Sequence, residues 1–369
     1  ARIRSPGPHP CAFSRLRMKE ETRLFTDDLM AWHEKNARAL IWCGERDPYR
    51  IWISEIMLQQ TRTETVTGYY RRFLSAFPTV RELAEAPLEQ VLKQWEGLGY
   101  YSRARNLHAA ARIIVSRYAG KLPQDLDALR SLPGVGDYTA GAIASIAYGL
   151  RVPAVDGNLN RVMARVLCEG RNVHSAAGKR TIYQAVYDRM PEDRPGDFNQ
   201  ALMGLGNLIC TPANPDCGQC PVRSDCQAFQ TGTQRDYPVL PPRARQKVER
   251  RAVALVFCGD KVLLHRRPET ALLGGLWEFP GFPEATDRAA VDECLAELGL
   301  TDAVFERTCG EARHVFTHLI WEMTGYRYRL PQETLPAGDY RFVTRDQLAA
   351  LPLATAFRFF RGQLMRGGA

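Results

Sequence analysis

The feature that most constrains this 369-residue chain is the stretch 131–161, SLPGVGDYTAGAIASIAYGLRVPAVDGNLNR. Leu132-Pro133-Gly134-Val135-Gly136 reads as a tight turn, and Thr139, Ala140, Ala142, Ile143 and Ile146 read as a small-residue helix behind it. Glycines let backbone N–H groups approach a ligand closely, and a helix N-terminus favours anionic oxygen. Gly134, Val135 and Gly136 are therefore candidates to hold a phosphate. Val155-Asp156-Gly157-Asn158 then opens a second helix, with Leu159, Val162, Met163, Val166 and Leu167 on one face. A carboxylate is thus expected beside a backbone grip for phosphate.

The chain is long enough for two domains, each burying its own core. Its net charge of +8 fits a polyanionic partner. The excess is uneven: residues 231–369 carry 19 Lys+Arg against 17 Asp+Glu, and the first 230 carry 30 against 24. No apolar run approaches the roughly 20 residues of a membrane span. The basic N-terminus ARIRSPGPHPCAFSRLR lacks the apolar core of a secretory signal, and Met18 is a candidate start, making residues 1–17 an extension or disordered arm. Of ten cysteines four are clustered and six scattered, which favours a reducing cytoplasm and one metal site over a disulfide framework.

Residues 25–35 read as a short amphipathic helix. Asp47-Pro48-Tyr49 turns into residues 51–60, IWISEIMLQQ, apolar on nearly every side and so a buried helix. Glu55 sits in its middle, where burial raises a carboxyl pKa and keeps the group protonated near neutrality. The alternative is a Glu paired with a buried Arg or facing a small solvent gap. Residues 69–130 read as helical, broken at Pro78, Pro87 and Pro123. Within them WEGLGYY (95–101) precedes Ser102-Arg103-Ala104-Arg105, a loop with rings to stack and arginines for phosphate, or equally a Gly-aromatic turn of the core.

Cys210, Cys217, Cys220 and Cys226 bring four thiols within seventeen residues, enough for one tetrahedral metal or cluster; spacing leaves zinc and iron open. Residues 227–249 hold three prolines and four basic residues with little apolar period and read as a linker. Strands are expected at 252–257 and 262–265 around a Cys258-Gly259-Asp260 turn, an extended turn at 276–281, a helix at 287–298 and a strand at 315–328.

The 131–161 stretch resembles the helix-hairpin-helix and aspartate of DNA base-excision glycosylases, and the chain as a whole resembles the adenine DNA glycosylases of the MutY type. That resemblance implies an α plus α/β multidomain fold. An all-helical helix-hairpin-helix domain (18–229) would carry a [4Fe–4S] loop on the four cysteines, followed by a linker (230–249) and a Nudix-like α/β domain (250–369). It implies adenine release opposite 8-oxoguanine or G in double-stranded DNA, by a soluble, cytoplasmic, monomeric enzyme. Glu55 would protonate the departing base at N7, and Asp156, its charge favoured by the helix dipole, would stabilise the sugar cation. An ordinary N-cap is the other reading of Asp156, and Asn158 either positions it or caps the helix itself. Tyr138 stands where lyase-competent relatives place a Schiff-base Lys, so a monofunctional enzyme follows.

By the same resemblance Gln60, Thr61, Leu98 and Tyr100 probe and wedge the duplex beside the lesion. Phe316, Thr317 and His318 read 8-oxoguanine, the other reading being an ordinary strand end. Arg38, Trp42 and Gln200 line the adenine pocket. Three departures stand out: Ile41 and Cys43 flank Trp42, Asp137 puts a negative charge in the hairpin turn or caps its helix, and the Nudix box is degraded. There Glu284, Glu293, Glu297 and Gly299 keep the spacing, while Glu278, Asp292 and Ala296 replace its Gly, Arg and a metal-binding Glu, so diphosphate hydrolysis is expected to be lost. The competing classes are a thymine or uracil mismatch glycosylase, a non-catalytic lesion binder and a nucleotide-pool Nudix hydrolase.

Overall fold

Up to residue 241 the local signals are those of helices, and capping residues set where they begin. The computed structural model describes residues 12–36, 41–241, 245–283 and 285–366. In chain order the helices are α1 (Ala12–Asn36), α2 (Pro48–Leu58), α3 (Thr63–Ala76), α4 (Val80–Glu85), α5 (Leu88–Trp95) and α6 (Ser102–Tyr118). They continue as α7 (Leu126–Arg130), α8 (Asp137–Tyr148), α9 (Gly157–Leu167), α10 (Ala176–Arg189), α11 (Pro195–Leu208) and α12 (Gln227–Thr231). Asp47 caps α2 by accepting from Tyr49 N with Pro48 at the first position, and Thr79 with Glu82 forms a capping box on α4. α1 is longer than the expected helix at 25–35; residues 12–17 of the presumed extension belong to it, and the rest of that extension lies outside the described residues.

The contacts group into two compact units, one built from residues 1–60 and 113–242, the other from 61–112 and 243–369. This division is not the one drawn between helical and strand-forming sequence. Within the second unit the reason is polar. Lys93 Nζ donates to the carbonyls of Ala349 and Leu351 at 2.7 and 3.1 Å, Trp277 Nε1 to Glu89 at 2.6 Å, and Arg361 to Glu96 at 2.6 Å.

The first unit is held by Phe25, Leu29, Leu159, Val162, Met163, Ile182, Val186, Phe198, Leu202 and Leu205, all buried. Each such side chain contributes roughly 1.5–3 kcal/mol through burial. Two glycines set helix approach: a Cβ on Gly141 would lie 2.6 Å from Pro153 O, and one on Gly206 would lie 2.7 Å from Asn158 Cβ. Residues 227–241 are not the loose linker expected. α12, a short 3-10 turn at Gln234–Asp236 and the Val239 carbonyl, which accepts from Val173 N, order them. Buried Arg165 donates to the carbonyls of Gln234 and Tyr237.

In the second unit β1 (Lys247–Cys258), β2 (Lys261–Arg266), β3 (Trp277–Glu278), β4 (Gly281–Pro283), β5 (Val304–Val315), β6 (Leu319–Arg329) and β7 (Tyr340–Val343) form one sheet. Its order is β3-β2-β1-β6-β5, with β4 also on β1 and β7 on β2. β1 runs parallel to β6, and every other pairing is antiparallel. α13 (Arg288–Glu297), capped by Asp287, packs Val291 and Leu295 onto Ala252, Ala254, Val256 and Tyr328. The β1–β2 turn falls at Gly259-Asp260 as expected. The strand expected at 315–328 is instead the tip of a β5–β6 hairpin followed by β6, and the extended turn at 276–281 contributes β3 and the start of β4. α14 (Arg345–Ala350) and α15 (Arg358–Arg366) complete the described chain. No helix among the described residues is long and apolar enough to cross a membrane.

Candidate active site and nucleic-acid interface

α2 is buried over nearly its whole length, and Glu55 is only 7% exposed among Ile51, Trp52, Ile56 and Met57. Its carboxylate pairs with no arginine among the described residues; instead Tyr138 Oη, on α8, donates to Glu55 Oε2 at 2.5 Å. Burial pushes Glu55 up to about 7 against the lowering effect of that hydrogen bond, and the nearby Asp156 charge adds to the rise. Burial first, then the same two carboxylates, hold Tyr138 well above its ordinary value, so its phenol stays protonated.

Asp156 caps α9: its Oδ1 accepts from Leu159 N at 2.8 Å and its Oδ2 from Asn158 Nδ2 at 2.7 Å. Asp156 is thus the N-cap of α9, and Asn158 is its side-chain hydrogen-bond partner. The expectation for its charge needs correcting. Burial is the largest influence and raises its pKa, while the Leu159 amide, Asn158 and Arg161 oppose that rise. Asn158 is held in turn, its Oδ1 accepting from Arg161 Nη2 at 2.8 Å, and Arg161 also donates to the carbonyls of Gly206 and Cys210.

The hairpin joins α7 to α8. Gly134 has φ +76°, Val135 N donates to Leu132 O at 3.1 Å, and α8 opens on Gly136 with no side-chain cap. Asp137 is not that cap. It is the first helical residue, exposed, and its charge is paired with Arg130 Nε at 2.8 Å. Trp42 and Gln200 are half-buried, the first in a turn before α2 and the second on α11, and Arg38 lies outside the described residues. Sequence reading missed Met203, whose Sδ lies 3.8 Å from Tyr138 Oη, and Gln59, whose Nε2 donates to Thr139 Oγ1 at 3.1 Å and ties α2 to α8. Both carry only an apolar or helix-end signal in sequence.

Of the wedge candidates, Gln60 closes the first unit with φ +55°. In the second unit Tyr100 has φ +47° and is 46% exposed, whereas Leu98 is buried at 5%, so Tyr100 alone of that pair stands out. Left-handed backbone at non-glycine residues costs about 1–3 kcal/mol and concentrates at functional sites. Tyr100 Oη and Thr317 Oγ1 are hydrogen-bonded at 2.7 Å, joining two stretches that sequence reading proposed separately. Thr317 and His318 are exposed at the β5–β6 tip, while Phe316 packs edge-on against His314 and Trp321. Arg103 and Arg105 are not free phosphate partners: Arg103 is buried, and Arg105 Nη1 donates to Gly274 O at 2.6 Å.

The four clustered cysteines follow α11 and precede α12. Burial pushes Cys220 up to about 12 and raises Cys217 and Cys226, with the neighbouring sulfurs adding to each rise. Arg165 Nη1 donates to Cys210 Sγ at 3.3 Å. Among the described residues no three His, Cys, Asp or Glu side chains are grouped to hold a single metal ion. In the second unit, Glu278 is buried and bound by Arg267 at 2.5 Å and His265 at 3.1 Å. Asp292 accepts from Tyr328 Oη at 2.6 Å. Two of the three replacements in the Nudix box, Glu278 and Asp292, thus make structural bonds; Glu284 lies outside the described residues.

Comparisons with known proteins match these parts. The family model described as "HhH-GPD superfamily base excision DNA repair protein" matches residues 53–181, and the NUDIX domain model matches 252–360. The chain is 34% identical over 410 residues to adenine DNA glycosylase of Homo sapiens, covering 93% of this chain and 75% of that one. It is 34% identical to the Mus musculus protein of the same name, covering 90% and 76%. A solved thermostable thymine-DNA glycosylase is 27% identical with TM-score 0.54, over 58% of this chain and 99% of that one. A trapped endonuclease III–DNA covalent intermediate shares the fold at 23% identity, TM-score 0.50.

Proposed function

The chain belongs to the adenine DNA glycosylase family, and we propose that it releases adenine mispaired with 8-oxoguanine or guanine, hydrolysing the N-glycosidic bond without a lyase step. The carrying observation is the pair of carboxyl groups in unequal settings: Glu55 buried with one phenol donor, Asp156 capped by a backbone amide and an amide side chain. Breaking an N-glycosidic bond develops positive charge on the sugar and negative charge on the base. A neutral Glu55 donates its proton to adenine N7, and ionised Asp156 stabilises the oxocarbenium ion or bonds to it transiently. Tyr138 holds Glu55, and Asn158 holds Asp156. With a phenol at position 138 there is no amine to form a Schiff base, which supports a monofunctional enzyme.

The adenine must leave the stack at a cost of a few kcal/mol. Tyr100, Gln60 and Thr61 wedge or probe the duplex, Thr317 with Phe316 and His318 reads the opposite base, and Trp42, Gln200 and Arg38 receive the adenine. Gly134, Val135 and Gly136 take a backbone phosphate. The cysteine set fits a [4Fe–4S] cluster. What supports this reading is the four thiols within one loop together with the family's endonuclease III-like cysteine spacing. Such a cluster, held by Cys210, Cys217, Cys220 and Cys226, supplies structural and electrostatic support to the loop. The reading implies a monomer in a reducing, DNA-bearing compartment, the cytoplasm in a bacterium.

The test is incubation with 8-oxoguanine·A, G·A and G·T duplexes followed by alkaline cleavage of abasic sites. Adenine release, fastest opposite 8-oxoguanine, is expected. Preferred loss of thymine overturns the substrate; no base loss from any duplex favours a non-catalytic binder.

A further inference from the structure

A buried cation lies against the loop that presents Tyr100. Arg103 is 8% exposed, and its Nη2 donates to Gly99 O at 3.0 Å, Leu98 O at 3.2 Å and Thr61 Oγ1 at 3.2 Å. Its guanidinium lies 5.3 Å from the Trp95 ring centroid and 5.5 Å from that of Tyr100. Tyr100 needs such support: Gly97 and Gly99 take φ of +98° and +77° at no steric cost, but Tyr100 is held at +47°, and strained backbone persists only where its surroundings over-determine it. Trp95 Nε1 also donates to Gly99 O at 3.1 Å and Gly97 N to Tyr101 Oη at 3.0 Å, while the Arg103 guanidinium ties the same turn to Thr61 and the Tyr100–Thr317 hydrogen bond holds the phenol tip.

We propose that Arg103 is a positioning residue for lesion discrimination, locking Thr61 and the 98–100 turn into one rigid wedge with Tyr100 raised from it. The inference rests on the lesion-reading role proposed above. The planar guanidinium matters beyond its charge, because it sets Nη2 on the three oxygens while lying within 5.5 Å of both ring centroids, a flat geometry that a compact ammonium does not supply. Burial lowers the Arg103 pKa only to about 10, so the guanidinium stays charged at neutral pH.

The test compares single-turnover adenine release from 8-oxoguanine·A and G·A duplexes for wild type, Arg103→Lys and Gly99→Ala. A Cβ at Gly99 meets nothing within 4 Å, so that variant strains only the turn and leaves the core alone. Losing charged hydrogen bonds of this kind is expected to cut the preference for 8-oxoguanine about tenfold in Arg103→Lys, with a smaller drop in the same direction for Gly99→Ala. A role as a phosphate contact predicts instead an unchanged preference, with weaker binding of both duplexes and a shallower salt dependence; that result overturns the inference. So does a rate loss that is equal on both duplexes. A wild-type protein with no preference for 8-oxoguanine overturns the functional reading itself, a distinguishable failure.

Discussion

A carboxyl group held near pH 7 by burial must destabilise the fold whenever it is ionised, and Glu55 makes that cost measurable. Its pKa rises from 4.5 in an exposed setting to about 7 here. The unfolded chain therefore gives up this proton at lower pH than the folded one. Between those two values the native state binds more protons, so stability falls as pH rises, and above pH about 7 the whole cost is present. At 1.36 kcal/mol per pH unit the cost is about 3 kcal/mol. Glu55→Gln cannot ionise and keeps a carbonyl acceptor for Tyr138 Oη, so it removes the cost without leaving the phenol unpartnered. The variant should match wild type in melting temperature near pH about 5 and exceed it by roughly 5–10 °C near pH about 8.5. The same substitution should abolish adenine release, and the wild-type single-turnover rate should fall as pH rises through about 7. Paired thermal melts across that pH range provide the assay. A melting difference that does not change with pH refutes the buried-acid reasoning, whatever happens to activity.

Three other outcomes are expected. Asp156→Asn should abolish base release while duplex affinity, measured by gel shift, stays within about twofold of wild type, since Asn still caps α9 at a cost well under 1 kcal/mol; parallel loss of affinity would make the residue structural. Thr317→Ala and Tyr100→Phe remove the two ends of one hydrogen bond, so a double-mutant cycle on the 8-oxoguanine/G preference should show coupling of about 1 kcal/mol, and additive effects would deny that the two act together. Cys220→Ser should lower iron content and visible absorption together, measured by elemental analysis; zinc in the wild-type protein in place of iron would reject the cluster.

The local chemistry of the site was legible because each residue announces itself by contrast. An acid inside IWISEIMLQQ and an aspartate opening an apolar helix are visible against their surroundings. What stayed hidden depends on distances that spacing does not encode. Arg103 and Arg105 read as phosphate partners because arginine after a glycine loop is common on surfaces, yet three oxygens in the chain itself claim Arg103. The β5–β6 hairpin escaped because residues 304–315 alternate weakly, with most of β5 exposed, so no apolar period marked it. The residues from 227 read as a linker for the opposite reason: their order comes in part from carbonyls taken up by Arg165, 69 and 72 residues earlier, and carbonyl acceptors have no sequence signature.

The charge asymmetry between the two carboxyl groups does not come from the source that sequence suggests. Burial raises both pKa values, and the donors at the α9 N-terminus oppose that rise at Asp156 without cancelling it. What separates them is the number and kind of donors. Asp156 accepts from the Leu159 amide and the Asn158 side chain with Arg161 behind, while Glu55 accepts from one phenol and is the more deeply buried. The Asp156 charge adds to the rise at Glu55, so an ionised Asp156 helps keep Glu55 protonated. Removing Asn158's amide should then do more than loosen Asp156: it takes away a donor that favours the ionised carboxylate, and with less charge at Asp156 the upward push on the Glu55 pKa weakens. Asn158 thus bears on the protonation of a residue it does not touch, which links the cap of α9 to the proposed acid on α2.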